Sequence, residues 1–543
     1  MIDSIALELM WSHLRSVVTE QAKAMQRIAF SPVVREAGDL AYALFDARGR
    51  IVAQADTGTP GHINCLAFTG KYLHDNFGSE LEPGDVMITN DPWLGAGHFF
   101  DIAIVAPVFR NGRLLGYVGS TNHHTDIGGT GVSIAGVDVH EEGLWIPPAK
   151  LYEAGKPNRV LHDMILRNVR TPDLLSGDLA AQVASARSGG EEIIELCERH
   201  GMENIEALSD NIVALSETAM REAIRACPSG AWTGRTSFDV NGDLEIELVA
   251  TVNIDGDAGE ILVDFTGSSS QVDRGINVVL NYTHAYSTFA VRSCLTPDLP
   301  NNFGSMAPVK VKAPKGSIVN CEYPAPVAAR HIVGMYVPMP ILKALHGVVP
   351  DRVLAEGPGA VWSAQVKGRD ADGRSYTSSQ FSFAGGMGAR MAKPGPDATC
   401  YPTGIGATPL EVLEMEAPVV FHHREIRPGS GGVGRSPGGN GQIIEFGVRT
   451  GRPWNLIFSA TGVSQAPEGL DGGGNGSPGK LLVNGKTWVG TGRSRMQPDD
   501  VVRMETPGGG GFGAAPQDAG TQNQARGNAN EPQEGAEMEG SSH

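Results

Sequence analysis

The stretch GAGHFFDIAIVAPVF, residues 95–109, sets His98 and Asp101 three residues apart at a glycine-rich entry to an apolar run, and a second cluster, NHHTDIGG, begins at Asn122. Between them, IAIVAPVF and LLGYVGST flank Arg110-Asn111-Gly112-Arg113. Asn-Gly between two apolar runs is the strongest short-range hairpin signal, because both residues tolerate the positive φ of a type I′ turn. A two-residue loop at Asn111-Gly112 places Asp101 opposite Asn122 and Phe100 opposite His123. Adjacent strands lie about 4.8 Å apart, so His98, Asp101, His123 and His124 gather at one end of the hairpin. In that register His98 shares a face with His123, and Asp101 shares one with His124. A single bulge reverses this parity, so the spacing leaves open which imidazole turns inward.

Two imidazoles with one or two carboxylates suit a borderline divalent ion such as Zn, Mn or Fe, with a position left for water or substrate. The competing reading is histidines that cap loops and bond to carbonyls. Four ionisable groups converging beside glycines bring the metal level with that reading, because a cation compensates charge that is otherwise costly to bury. Elsewhere, Asp39 in REAGDLAYALFD and His62 in TPGHINCL read as turn caps. Glu142 in HEEGLWIPPAKL is a further candidate carboxylate, with a capping or surface role as the alternative.

Three glycine segments imitate nucleotide motifs. GNGSPGKL, residues 474–481, follows the phosphate-loop pattern as far as Lys480 but has Leu481 where a hydroxyl should meet magnesium. GSGGVG at 429–434 and GGGGFG at 508–513 fit the loose dinucleotide pattern without a strand before and a helix after. Tight turns between antiparallel strands, needing positive φ, account for them. No nucleotide site is expected on this chain.

The elements that must position the histidines come from 543 residues, enough for more than one packed unit. A net charge of −18 argues against nucleic acid, which is bound by replacing counterions with Lys and Arg. No apolar run approaches the length of a membrane span, and Asp3 and Glu8 stand where a secretory signal carries basic residues. A cytoplasmic protein is expected. Its six cysteines are scattered without a C-x-x-C pair and read as reduced thiols.

The fold class expected is α+β. Residues 1–171 form a metal-binding region, opened by a long amphipathic helix over 3–29 capped by Asp3 or Ser4 and continued by sheet, including the strand–turn–strand DLAYALFDARGRIVAQ. Residues 172–230 read as a helical segment of three helices separated by glycine caps. Residues 231–513 read as antiparallel and β-rich, with hairpins at Asn241-Gly242 and Asp255-Gly256 and helical patches at THAYSTFAVRSCL and MPILKALHGVV. The tail, 514–543, has no aromatic or β-branched apolar residue and is expected to be disordered.

NDPWLGAGHFFDIAIVAPVF, NHHTDIGG, EEGLWIPPAKLYEAG, GDLAAQVA, DFTGSS and TPGGGGFG, in this order, resemble the hydantoinase B family along nearly the whole chain to about residue 513. That family supplies a subunit of ATP-dependent hydantoinases, 5-oxoprolinases and lactamases such as caprolactamase, and is related to a subunit of acetone and acetophenone carboxylases. The resemblance implies a division of labour. An A-type ATPase partner, in an (αβ)2 hetero-oligomer, binds ATP and Mg and phosphorylates the carbonyl oxygen of a small cyclic amide. The B-type chain holds a divalent metal, Zn or Mn, through residues matching His98, Asp101 and His123, with Asp39 as the fourth ligand. Water activated at the metal then opens the ring, with His124 or Asp126 as general base or as acid to the leaving nitrogen. The same resemblance leaves carboxylation, or a noncatalytic scaffold with a structural metal, as alternatives.

Overall fold

A computed structural model describes residues 3–56, 59–359, 361–488 and 493–516. Of the expected disordered tail, residues 517–543 lie outside the described residues. Helix α1 (Ser4–Ile28) starts where expected, with the Asp3 side chain accepting from the Ala6 N–H, and its apolar face, including Trp11, Leu14, Val18 and Met25, is buried. Strands β1 (Leu40–Asp46) and β2 (Ile51–Gln54) follow, then α2 (Pro60–Phe77), β3 (Val86–Thr89), β4 (Asp101–Arg110), β5 (Arg113–His123), β6 (Ala149–Glu153) and β7 (Lys156–Pro157). They form one seven-stranded antiparallel sheet in the order β2-β1-β5-β4-β3-β6-β7.

This sheet is buried on both faces. Leu40, Tyr42, Leu44, Ile102, Ile104 and Ala106 belong to the main core, which they share with α1 and with helix α3 (Pro172–Arg199). Ala41, Ala43, Phe45, Ala103 and Val105 pack on the other face against Ile63, Leu66 and Leu73 of α2. Alternation along each strand thus assigns odd-numbered residues of β1 and β4 to α2 and even-numbered ones to α1 and α3.

The turn Asn111-Gly112 forms with both residues at positive φ, 51° and 75°. Next to it the expected register holds, with Phe109 opposite Leu114, but Val108 then pairs with Gly116, leaving Leu115 as an extra residue. Every pair beyond this bulge is shifted by one, so Asp101 faces His123 instead of Asn122.

The helical segment departs from expectation in one respect. Instead of two helices divided by a glycine cap, α3 runs unbroken for 28 residues through Gly177, Gly189 and Gly190. These glycines permit contact: a Cβ on Gly177 would lie 2.4 Å from the Phe30 ring, and one on Gly189 would lie 2.4 Å from Gln21. Helix α4 (Glu206–Arg225) completes this part. Strands β8 (Gly230–Val240), β9 (Leu244–Asp255) and β10 (Glu260–Asp264) make the expected meander, extended by β11 (Val309–Lys312), which pairs parallel to β10. Both helical patches form, as α5 (Leu280–Leu295) and α6 (Pro338–His346).

Two further antiparallel sheets, of four and five strands, enclose a second core around Trp362, Phe446, Trp454 and Met504. The glycine segments beside them are positive-φ turns at one end at most, which corrects the expectation in part: Gly429 and Gly513 have φ +72° and +73°, but of 431, 432, 434 and 508–511 none has positive φ. They run backbone against backbone, with Gly432 N–H donating to Gly509 O at 2.8 Å, Gly509 N–H to Gly439 O at 2.9 Å and Gly511 N–H to Gly474 O at 2.9 Å. A Cβ on Gly438 would stand 2.0 Å from Gly509 O, so no side chain fits. All six cysteines are free thiols, as expected.

Candidate metal centre

Asp39 precedes β1, Asp101 opens β4 and His123 ends β5, at the same end of three adjacent strands. Parity puts all three on the face covered by α2, since Asp101 pairs with His123 and the His123 N–H donates to Asp39 O at 3.1 Å. His62 comes down from the first turn of α2, where Thr59 caps the helix by accepting from the His62 N–H. His98 arrives on the loop after β3. Asn90 clamps that loop by donating to Phe99 O and Leu144 O and accepting from Ile146 N–H.

The centre of the cluster is Asp101, whose side chain is fully buried. Its Oδ1 lies 2.9 Å from His98 Nε2 and 3.0 Å from His123 Nδ1; its Oδ2 lies 2.9 Å from His62 Nε2 and receives Arg330 Nη2. His62 Nδ1 is in turn 3.3 Å from Asp39 Oδ1, and His123 Nδ1 is 4.0 Å from Asp39 Oδ2. One ligand atom from each of His98, Asp101 and His123 can be chosen so that all lie within 4.8 Å of one another.

Arg330 also donates through Nε to Ala96 O and stacks over the Tyr282 ring at 4.2 Å. Gly97 makes room for it: at φ +89°, a Cβ there would meet Arg330 Cδ at 2.7 Å. Burial disfavours ionisation of Asp101, but His62 and Arg330 outweigh it and hold the carboxyl well below the usual range. Burial likewise opposes a proton on His62, yet Asp101 and Asp39 raise its pKa. Burial, reinforced by Arg330, pushes His98 down to about 4.

His98 is neutral near pH 7, and its Nδ1 lies 2.8 Å from Ala328 O, a carbonyl that can only accept. Its proton therefore sits on Nδ1, and Nε2 presents a lone pair to Asp101 Oδ1 with no hydrogen bond between them. Two buried acceptors 2.9 Å apart repel unless a cation lies between or beside them. The donor set of imidazole and carboxylate suits a divalent ion. A cavity of about 30 Å³, lined by His62, His98, His123, Arg330 and His331, opens on the cluster and is large enough for an ion or a water.

The expected residues divide. His98, Asp101 and His123 are brought together with Asp39 beside them, whereas His124 and Asp126 are not brought into the cluster. His124 alternates onto the opposite face toward Asp178 and Gln182 of α3, where burial pushes its pKa down to about 4. Asp126 is held by Arg170 Nη1 at 2.6 Å and by the Gly128 and Arg170 N–H groups. His62, expected as a turn cap, is instead wedged between the two aspartates. Glu142, weighed as a cap or a surface group, is buried and accepts from Val327 N–H at 2.7 Å and Ala328 N–H at 2.8 Å. Arg330 and His331, which line the cavity, carried no signal in the sequence; the PAPVAARHIVG stretch holds no recognisable spacing.

The family described as Hydantoinase B/oxoprolinase matches residues 3–515. The B-type component of a putative D-/L-hydantoinase from Pseudomonas sp. (strain NS671) is 31% identical over 94% of this chain and 90% of that protein. Among solved structures, the ATP-dependent caprolactamase from Pseudomonas jessenii superposes with a TM-score of 0.87 at 26% identity, covering 97% of this chain and 94% of that one. Nucleotide-free acetone carboxylase shares the fold at 20% identity, with a TM-score of 0.85 over 94% of this chain and 76% of that chain.

Proposed function

Because this chain belongs to the hydantoinase B/oxoprolinase family, we propose that it is the metal-holding subunit of an ATP-dependent enzyme that opens small cyclic amides. The observation that carries this reading is the unbonded contact between His98 Nε2 and Asp101 Oδ1, inside a buried cluster whose other members are already oriented. His98, Asp101 and His123 would hold a divalent ion such as zinc or manganese, with Asp39 as the fourth ligand. Bound there, it supplies Lewis-acid polarisation and eases loss of a proton from water.

The chain's own residues do the rest. Ala328 O fixes the His98 tautomer, and Arg330 anchors the Asp101 carboxylate from the side away from His98 and His123. His331, whose Nε2 is buried without a hydrogen-bond partner, offers the cavity a neutral imidazole. Tyr282, Met335, Val361 and Ile405 close the cavity with largely apolar surface, which keeps bulk water from the reacting amide.

Phosphorylation of the carbonyl oxygen, which makes the ring carbon open to water, falls to an A-type ATPase partner that holds ATP and Mg in an (αβ)2 assembly. This fits the glycine segments, which are consumed in packing on each other, and it fits the relatives named as components of larger enzymes. A cytoplasmic location goes with this role; among the described residues no helix is long and apolar enough to cross a membrane. Hydrolysis is preferred to carboxylation because the relative named as a hydantoinase component is 31% identical, against 20% for the acetone carboxylase.

The test is to purify the chain with its ATPase partner and compare wild type with His98→Ala and His123→Ala. Metal content by mass spectrometry and ATP-dependent opening of hydantoins, 5-oxoproline and lactams should both be lost. Full metal content in both variants would sink the assignment.

A further inference from the structure

On the other side of the first turn of α2 lies a second, larger cavity of about 490 Å³. Pro60, Ile63 and Asn64 line it, while Thr59 and His62 line the metal-side cavity, and Thr403 lines both. The two spaces therefore flank one turn of one helix. The inner wall of the larger one carries Arg292, from the last turn of α5, beside Asn64 and Asn301.

Arg292 is a mostly buried cation with one hydrogen-bond partner among the described residues. Nη2 donates to Leu299 O at 2.6 Å, whereas Nε is buried with no hydrogen bond. Among the described residues no carboxylate pairs with it, in a chain holding 61 acidic residues. The cavity's two carboxylates are exposed: Asp56, which Arg15 holds at 3.2 Å, and Asp298. Burial alone lowers the guanidinium's pKa to about 10, the signature of a cation that no neighbouring anion offsets.

The surrounding amides are fixed. Asn64 donates to Ala285 O at 3.0 Å and Thr288 Oγ1 at 3.1 Å, and Asn301 donates to Asn64 Oδ1 at 2.7 Å and Gln54 Oε1 at 2.6 Å. A purely structural role, bracing Leu299 and the end of α5, needs one N–H and explains neither the missing counter-ion nor the space. Leaving a guanidinium desolvated and unpaired is costly, and an oxyanion entering the cavity removes that cost through two parallel N–H···O bonds.

We infer that Arg292 anchors an oxyanion subsite beside the metal cluster, so that the molecule processed there carries a carboxylate or phosphate group. This rests on the metal cluster being the reaction centre. The oxyanion is either a carboxylate on the substrate's own ring or the phosphoryl group placed on it by the ATP-using partner; both would meet the same guanidinium.

The test is calorimetric titration of the full chain with inorganic phosphate and, separately, with a lactam bearing a ring carboxylate, in wild type, Arg292→Gln and Arg292→Lys, with metal content measured on the same samples. Wild type should bind at least one of the two saturably at one site. R292Q should bind it at least tenfold more weakly, and R292K should fall between, because an ammonium keeps the charge but loses the bidentate geometry. Tighter phosphate identifies the transferred phosphoryl group; a tighter carboxylate identifies the ring's own acid. Wild-type affinity in R292Q, or no binding of either probe by a folded, metal-loaded wild type, overturns the inference. Should R292Q fail to fold, R292K decides alone, and unchanged affinity there also overturns it. Absence of metal from the wild type would instead remove the reading on which the subsite depends, whatever the anions do.

Discussion

Glu142 and His98 are joined through the backbone of a single residue: Glu142 Oε1 accepts from the Ala328 N–H at 2.8 Å, and Ala328 O meets His98 Nδ1 at 2.8 Å. The carboxyl also takes the Val327 N–H, so it fixes the turn that leads two residues on to Arg330, the cation on Asp101. One buried side chain thereby orients both the free nitrogen of His98 and the counter-ion of Asp101. Partners of this kind commonly govern metal affinity by about 10 to 100-fold. Glu142→Ala should weaken zinc or manganese binding by that order in a competition titration with a chelator, while Glu142→Gln, whose amide oxygen still accepts both N–H groups, should keep most of it. Equal affinities in E142A and wild type would show that the turn holds its shape unaided.

The same residue predicts a pH dependence of stability. Burial raises the Glu142 carboxyl from 4.5 to about 8, with the two N–H donors only partly offsetting it. Between these values the folded chain keeps a proton that the unfolded chain releases. The contribution is thus fully present below about 4.5 and is lost as pH rises toward 8, with a slope of at most about 1.4 kcal/mol per pH unit. Glu142→Gln removes the titrating group, so its thermal midpoint should fall less than that of wild type between pH 6 and pH 8. Parallel curves for the two proteins would contradict the shift.

Much of the site was legible because it is built locally. Asn111-Gly112 dictates the hairpin, the hairpin brings the His98–Asp101 and His123 segments to one end, and alternation assigns faces. What escaped was the bulge at Leu115, since nothing in RLLGYVGST marks an extra residue; only the pairing with β1 and the packing of both sheet faces decide it. That one residue sets His123, and not His124, opposite Asp101. His62 and Arg330 escaped for another reason. Each reaches Asp101 across a long sequence separation, His62 from a helix start that by itself reads as a cap. The glycine segments escaped in part, because close backbone packing leaves the same composition as positive φ: of GSGGVG and GGGGFG, only Gly429 and Gly513 lie in the left-handed region.

Asp126 provides a test of the other expected residues. Its carboxylate is buried and bound by Arg170 Nη1 at 2.6 Å and by two backbone N–H groups, which ties the loop after β5 to the segment before α3. Asp126→Asn keeps the shape but discards the charge, and a charge-assisted bond of this kind is worth about 1.5 to 3 kcal/mol. The expected outcome is a lower thermal midpoint with unchanged metal content. Loss of metal with an unchanged midpoint would place Asp126 in the cluster's service instead.

The glycine layer makes the sharpest stability prediction, because two glycines of one motif do different jobs. In GSGGVG, Gly429 has φ +72° with open space around its Cα, so alanine there meets only the left-handed backbone cost of about 1 to 2 kcal/mol. Gly431, two residues on, has ordinary φ, but a Cβ would stand 2.1 Å from Gly438 O, and backbone packed on both sides has nowhere to move. Gly431→Ala should therefore cost about 3 kcal/mol or more, the upper end of overpacking, and pull Gly438 and Gly509 out of register with it. Thermal midpoints of the two alanine variants, measured side by side, should separate clearly with G431A the lower. Equal midpoints would mean that conformational freedom, and not close approach, is what these glycines supply.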